Sequence, residues 1–144
     1  LHKKDFIEKV TINKETFEIN LFKGNDDEIT KDMLSKGELQ MYSTAIVRAL
    51  AKTSGRPLPF MMDTPLARLD EDHRESLVSD FYPNASHQTI LLSTDSEINF
   101  KHYKNLVPYI SKSFVIQYDS KAGKTIQHDS YFFNEKGEKI IEVQ

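Results

Sequence analysis

Cysteine is absent from the chain, which excludes disulfide scaffolds, thiolate metal sites and thiol nucleophiles. A basic excess is also missing. The formal net charge is −3, so any contact with DNA must be local or come from other parts of a larger protein. No apolar run approaches the roughly 18 residues that a membrane-spanning helix requires. The opening Leu1-His2-Lys3-Lys4 is not that of a signal peptide. A cytoplasmic location is expected, and there the Asn84-Ala85-Ser86 sequon is accidental. The five histidines form no pair at metal-ligand spacing, and repeats and low-complexity linkers are lacking. What is present is 38% apolar and 28% charged residues over 144 positions. That is the make-up of one folded domain rather than a disordered segment. The chain opens on Leu1 rather than Met, which points to a piece cut from something longer.

Hydrophobic periodicity sets out the elements. Phe6 to Thr11 and Thr16 to Phe22 read as two β segments, and Phe17, Ile19 and Leu21 alternate with Glu18 and Asn20 as in a half-buried strand. Gly24 to Asp32 is polar and reads as a loop. Ser35 with Glu38 makes a capping box for a helix whose inner positions are Leu39, Tyr42, Ile46, Ala49 and Leu50, ended by Gly55 and Pro57. Phe60-Met61-Met62 is a short buried strand closed by Asp63 and the turn Thr64-Pro65. Asp70 caps a second helix with Leu77, Val78 and Phe81 inside, stopped by Pro83. Thr89 to Ser93 is another buried strand, and a third helix is expected from Ser96 to Tyr103. Ser113 to Tyr118 and Thr125 to Phe133 read as an antiparallel hairpin across Lys121 to Lys124. The order implies an α/β domain with parallel central strands, flanking helices and antiparallel additions.

Three polar motifs fall at element ends. Leu34-Ser35-Lys36-Gly37-Glu38 opens a helix, where a hydroxyl, free amides and the positive macrodipole end suit an anion such as a terminal phosphate. Taken alone, Ser35 and Glu38 read as an ordinary N-cap. Asp63 at a buried strand's end suits a carboxylate that orients Mg²⁺ and its water, or else a simple turn former. Ala67-Arg68-Leu69-Asp70 reads by itself as a helix cap. Arg68 and Arg74 could face phosphate or be merely solvated, as His73 is expected to be. His87 is expected to be structural, and Tyr131-Phe132-Phe133 core rather than a base-stacking platform.

Taken in order, these motifs resemble the SMC-like ABC-type ATPases: signature motif, Walker B, D-loop, then a strand ending in a switch position. The resemblance is to the DndD family of DNA sulfur modification proteins, and it covers nearly the whole chain. It is carried by Leu34 to Glu38, Arg56-Pro57-Leu58-Pro59, Asp63-Thr64-Pro65-Leu66-Ala67-Arg68-Leu69-Asp70, His73-Arg74, Asn84 to Gln88, Leu91 to Asp95, and Tyr109-Ile110 with the following hairpin. It implies that residues 1–144 form the C-terminal lobe of a P-loop ATPase head. By that likeness Ser35, Lys36, Gly37 and Glu38 would meet ATP held by the opposite subunit of a homodimer. Asp63 would be the Walker B carboxylate acting on Mg²⁺ through water, and Asp70 would signal across the dimer. The implied partners are an N-terminal Walker A lobe joined through a coiled coil, DNA, and the cysteine desulfurase and sulfurtransferase of a phosphorothioate modification system.

The chain departs from the wider ABC pattern at two positions. Thr64 stands where a water-polarising glutamate is usual, and Thr94 where a switch histidine is usual. A threonine hydroxyl is no base near neutral pH, though it can hydrogen-bond a water or a phosphate oxygen. Turnover is therefore expected to be slow, or to use another carboxylate such as Asp95 or Glu97. Gly123-Lys124-Thr125 imitates the tail of a Walker A motif, but position 118 is Tyr and a strand follows. It reads as a hairpin turn, and this chain alone is expected to hydrolyse nothing. Rival readings are an ATP-gated DNA clamp, a DNA-repair SMC-like ATPase with little turnover, and a stand-alone α/β binding module.

Overall fold

A computed structural model describes residues 7–141; Phe6, the expected start of the first strand, and the opening four residues lie outside that range. The chain is mixed α/β, with small parallel and antiparallel sheets. It divides into two compact units: one runs up to Pro57 and includes Ala67–His73, the other holds Leu58–Leu66 and everything from Arg74 on.

The first unit opens with an antiparallel meander of β1 (Lys9–Ile12), β2 (Ile19–Phe22) and β3 (Glu28–Ile29). Its register sets Lys9 opposite Phe22 and Leu21 opposite Ile29, and Leu21 and Ile29 are its buried apolar residues. The short β3 lies inside the stretch expected to be a plain loop, because Ile29 has Leu21 to pack against. Phe17 does not share the inner face of β2. It is 76% exposed with a left-handed φ of 59°, since the Asn13 side chain accepts the amides of Glu15 and Thr16 and folds residues 13–17 into a turn.

Helix α1 (Lys36–Thr53) starts at the expected capping box. Glu38 N donates to Ser35 Oγ at 3.2 Å, and Ser35 N donates to Glu38 Oε2 at 2.8 Å. Gly55, in the left-handed region, follows the helix. Its expected inner face is not buried: no residue of α1 is, and Leu50 is 64% exposed.

The second unit is built on β4 (Phe60–Asp63) and β5 (Thr89–Leu92), which pair in parallel with Phe60 opposite Thr89 and Asp63 opposite Leu92. One face of this pair, with Met62 and Leu91, packs on a core of Leu66, Val78, Tyr82, Ile98 and Leu106. Helix α2 (Glu71–Ser76) runs into a π-helical turn at Leu77–Phe81 and a 3-10 turn at Tyr82–Asn84. Pro83 lies within that last turn, whose ring cannot continue an α-helix. Val78 points inward as expected, and Tyr82, one turn on, is also buried.

The third helix, α3 (Phe100–Leu106), begins four residues later than the sequence suggests. Asn99 is its cap, accepting His102 N at 3.1 Å, while Glu97 and Ile98 donate back to the Thr94 carbonyl in a separate turn. Strands β6 (Val115–Asp119) and β7 (Lys124–His128) form the expected hairpin. Asp119 accepts the amides of Lys121 and Ala122 in its loop, and Gly123 has φ +61°, so Gly123 closes the hairpin turn and Lys124-Thr125 open β7. The second strand ends at His128 rather than Phe133, because Tyr131 leaves the ribbon to stack on Tyr103 at 4.1 Å. Among the described residues no helix is long and apolar enough to cross a membrane.

Candidate functional site

Parallel pairing brings two chemistry-bearing strand ends to one rim. Asp63 closes β4 opposite Leu92, and the Thr64 amide donates to the Leu92 carbonyl at 2.9 Å. The segment Asp63-Thr64 therefore leaves the sheet beside Ser93-Thr94-Asp95. Asp63, Thr64 and Thr94 are all exposed, as a site for a dissolved ligand requires. Thr64 has φ 49°, a left-handed conformation that a β-branched residue rarely adopts, and its following residue is proline. Such a conformation costs roughly 1–3 kcal/mol and persists only where its surroundings over-determine it.

Those surroundings are a buried polar network. Glu97 is only 8% exposed, and its Oε1 accepts the Leu66 amide at 2.7 Å. The Tyr82 hydroxyl donates to the Pro65 carbonyl at 2.6 Å. Burial, and then the negative charge of Glu97, push the Tyr82 phenol far above its ordinary range. Both residues after Thr64 are thus fastened, one by its carbonyl and one by its amide.

The β5 side of the rim is held differently. Thr94 Oγ1 and Ser96 Oγ lie 3.0 Å apart. Asp95 pairs with Lys139, and this hydrogen bond holds its carboxyl below the ordinary range. Tyr131 donates to the Ile98 carbonyl at 2.8 Å, and burial pushes its phenol up to about 12. Neither carboxylate that could stand in for a glutamate at position 64 is idle: Asp95 is ion-paired and Glu97 is buried on an amide.

In the first unit the helix start at Ser35 to Glu38 adjoins the segment leading to Asp70. A Cβ on Gly37 would meet the Arg68 carbonyl at 2.6 Å and the Leu69 side chain at 3.4 Å. Arg68 itself has φ 63°. Gly37 is therefore required by the crossing of two main-chain segments, a reason independent of any phosphate. Ser35, Lys36 and Glu38 are exposed, and the Ser35 and Glu38 side chains are already joined in their capping box. Asp70 accepts His73 N at 2.9 Å and lies 2.6 Å from His73 Nδ1. It caps α2, and His73 is its partner rather than a purely solvated side chain.

Sequence reasoning missed Tyr82 and the inward turn of Glu97. The first left a signal, since Val78 and Tyr82 are spaced i, i+4 on one helix face. The second was disguised: Thr94-Asp95-Ser96-Glu97 has the spacing of a capping box, but Asn99 caps α3 instead. Compared with known proteins, the chain matches no family model and no curated protein.

Proposed function

We propose that this chain is the C-terminal half of an SMC-like ABC-type ATPase head of the DndD family, working on DNA in phosphorothioate modification in the cytoplasm. The observation that carries the reading is the shared rim of β4 and β5, where Asp63-Thr64 and Thr94 leave adjacent parallel strands. Ligands of open α/β sheets bind at such carboxyl ends. The capped start of α1 supports it, since Ser35 and Gly37 stand where a helix terminus favours an anion. So does the outer face of the β4–β5 pair, where Met61 is 63% and Leu92 49% exposed. Parallel strands are ordinarily covered on both faces, and an N-terminal Walker A lobe would supply that cover.

Mg²⁺ is commonly held by one or two carboxylates together with substrate phosphates and waters. The exposed Asp63 would supply one such share; it belongs to no cluster of three or more metal-binding side chains among the described residues. Bound there, the ion would neutralise charge on the ATP phosphates. Asp63 would hold that ion through water, Thr64 and Thr94 would offer hydroxyls to a water or a phosphate oxygen, and Ser35 with Lys36 and Gly37 would meet the nucleotide of the opposite subunit. DNA, the cysteine desulfurase and the sulfurtransferase are the partners of the assembled system.

The engagement of Asp95 and Glu97 favours one second reading, an ATP-gated DNA clamp with negligible turnover. Phosphate release by the intact head, with and without DNA, separates the two. Release that DNA stimulates and that Asp63→Ala lowers at least about tenfold supports the motor. ATP-dependent dimerisation without release supports the clamp. Equal release by wild type and Asp63→Ala removes Asp63 from the mechanism.

A further inference from the structure

We propose that Glu97 is the positioning residue that ties the loop leaving β4 to the loop leaving β5. The tie itself stands on hydrogen bonds; its consequence for turnover rests on the ATPase reading above.

Glu97 is fastened at both ends. Its amide, with that of Ile98, donates to the Thr94 carbonyl at 3.3 and 3.1 Å, closing the turn after β5. Its side chain reaches back 31 residues to accept the Leu66 amide at 2.7 Å. Proline at 65 has no N–H, so Leu66 supplies the first main-chain donor after Thr64. Leu66 is wholly buried, so an acceptor lost there leaves its amide cut off from bulk water. The Thr94 turn and the Thr64-Pro65-Leu66 turn therefore share one buried carboxyl.

The same geometry distinguishes this role from proton transfer. The oxygen Oε1, engaged by the Leu66 amide, is committed to the tie and poorly placed to take a proton from water at the exposed rim. What it can do is keep Thr64 in its left-handed conformation, and with it the direction of Asp63. Misplacing a reacting group by about an ångström is enough to cost about a hundredfold in rate.

The test uses the intact head carrying Glu97→Ala, Glu97→Gln and Glu97→Asp, with two measurements. Without nucleotide, Glu97→Ala is expected to speed Leu66 amide exchange by about tenfold or more, while Glu97→Gln, which keeps a carbonyl acceptor, stays within about threefold of wild type. With saturating ATP, Glu97→Ala is expected to lower kcat at least about tenfold with KM changed less than about twofold, and Glu97→Gln to restore kcat. Should the alanine variant not fold, Glu97→Asp, one methylene too short to reach, takes its place with the same expectations. Unchanged exchange at Leu66 overturns the proposal whatever the turnover. Faster exchange with wild-type kcat overturns it as well, as does a glutamine variant that exchanges like alanine. A wild-type head that releases no phosphate defeats the ATPase reading instead, and exchange at Leu66 alone then decides the tie.

Discussion

The two units hold their polar loops by different means. In the second, the turns after β4 and β5 rest on a closed core and on buried partners, with Leu66, Val78 and Tyr82 almost wholly enclosed and Glu97 on a main-chain amide. In the first, the eighteen-residue helix α1 buries no side chain, and its start is fixed by a local capping box and by contact with residues 68 and 69. The second unit's site geometry is set by its own interior, whereas the first unit's helix leaves apolar residues such as Val47 and Leu50 exposed. Long amphipathic helices draw most of their stability from tertiary packing.

The largest expected effect sharpens this contrast directly. Leu66→Ala should cost about 2–5 kcal/mol in a denaturant titration, while Leu50→Ala on the open face of α1 should stay within about 0.5 kcal/mol. If Leu50→Ala proves as costly in a longer protein but not in this chain, the cover over α1 has been found. If the two costs are equal in this chain, the contrast is broken. Next in size, Gly37→Ala drives a methyl against the Arg68 carbonyl and should cost about 1–3 kcal/mol, read from the same midpoint shift. Tyr82→Phe leaves the Pro65 carbonyl without its donor and should cost about 1–2 kcal/mol; a neutral result would mean that water replaces the hydroxyl.

The smallest effect is a pH dependence. Asp95 has its carboxyl held below the ordinary value of 3.8 by Lys139. A depressed carboxyl contributes stability that is present above the ordinary value and lost as pH falls through the depressed one. Thermal midpoints between about pH 5 and about pH 2 should therefore fall more steeply for wild type than for Lys139→Met. The pair is partly exposed, so the difference should be worth less than about 1 kcal/mol. Parallel curves would show that the pair does nothing for stability.

Much of this was legible in the sequence because it is local. The capping box at Ser35 and Glu38, the apolar run closing on Asp63 and the glycine turn at position 123 each follow from neighbouring residues, and each stands where spacing placed it. What escaped depends on contacts distant in the chain. Phe17 left the face that alternation assigned to it because Asn13 closes a turn beneath it. The start of α3 moved to Asn99 because Ile98 and Glu97 were drawn into the interior. Of the candidate site, the strand tip at Asp63 could be read from the letters; the buried acid that steadies the next turn could not, since its partner lies 31 residues away.

The bare Cα of Gly37 has a mechanical corollary. With the Arg68 carbonyl lying where a side chain would otherwise stand, the first turn of α1 and the stretch ahead of Asp70 bear on each other without a cushion. A displacement of either would reach the other with no side chain between them to absorb it by changing rotamer, which couples two stretches about thirty residues apart in the chain.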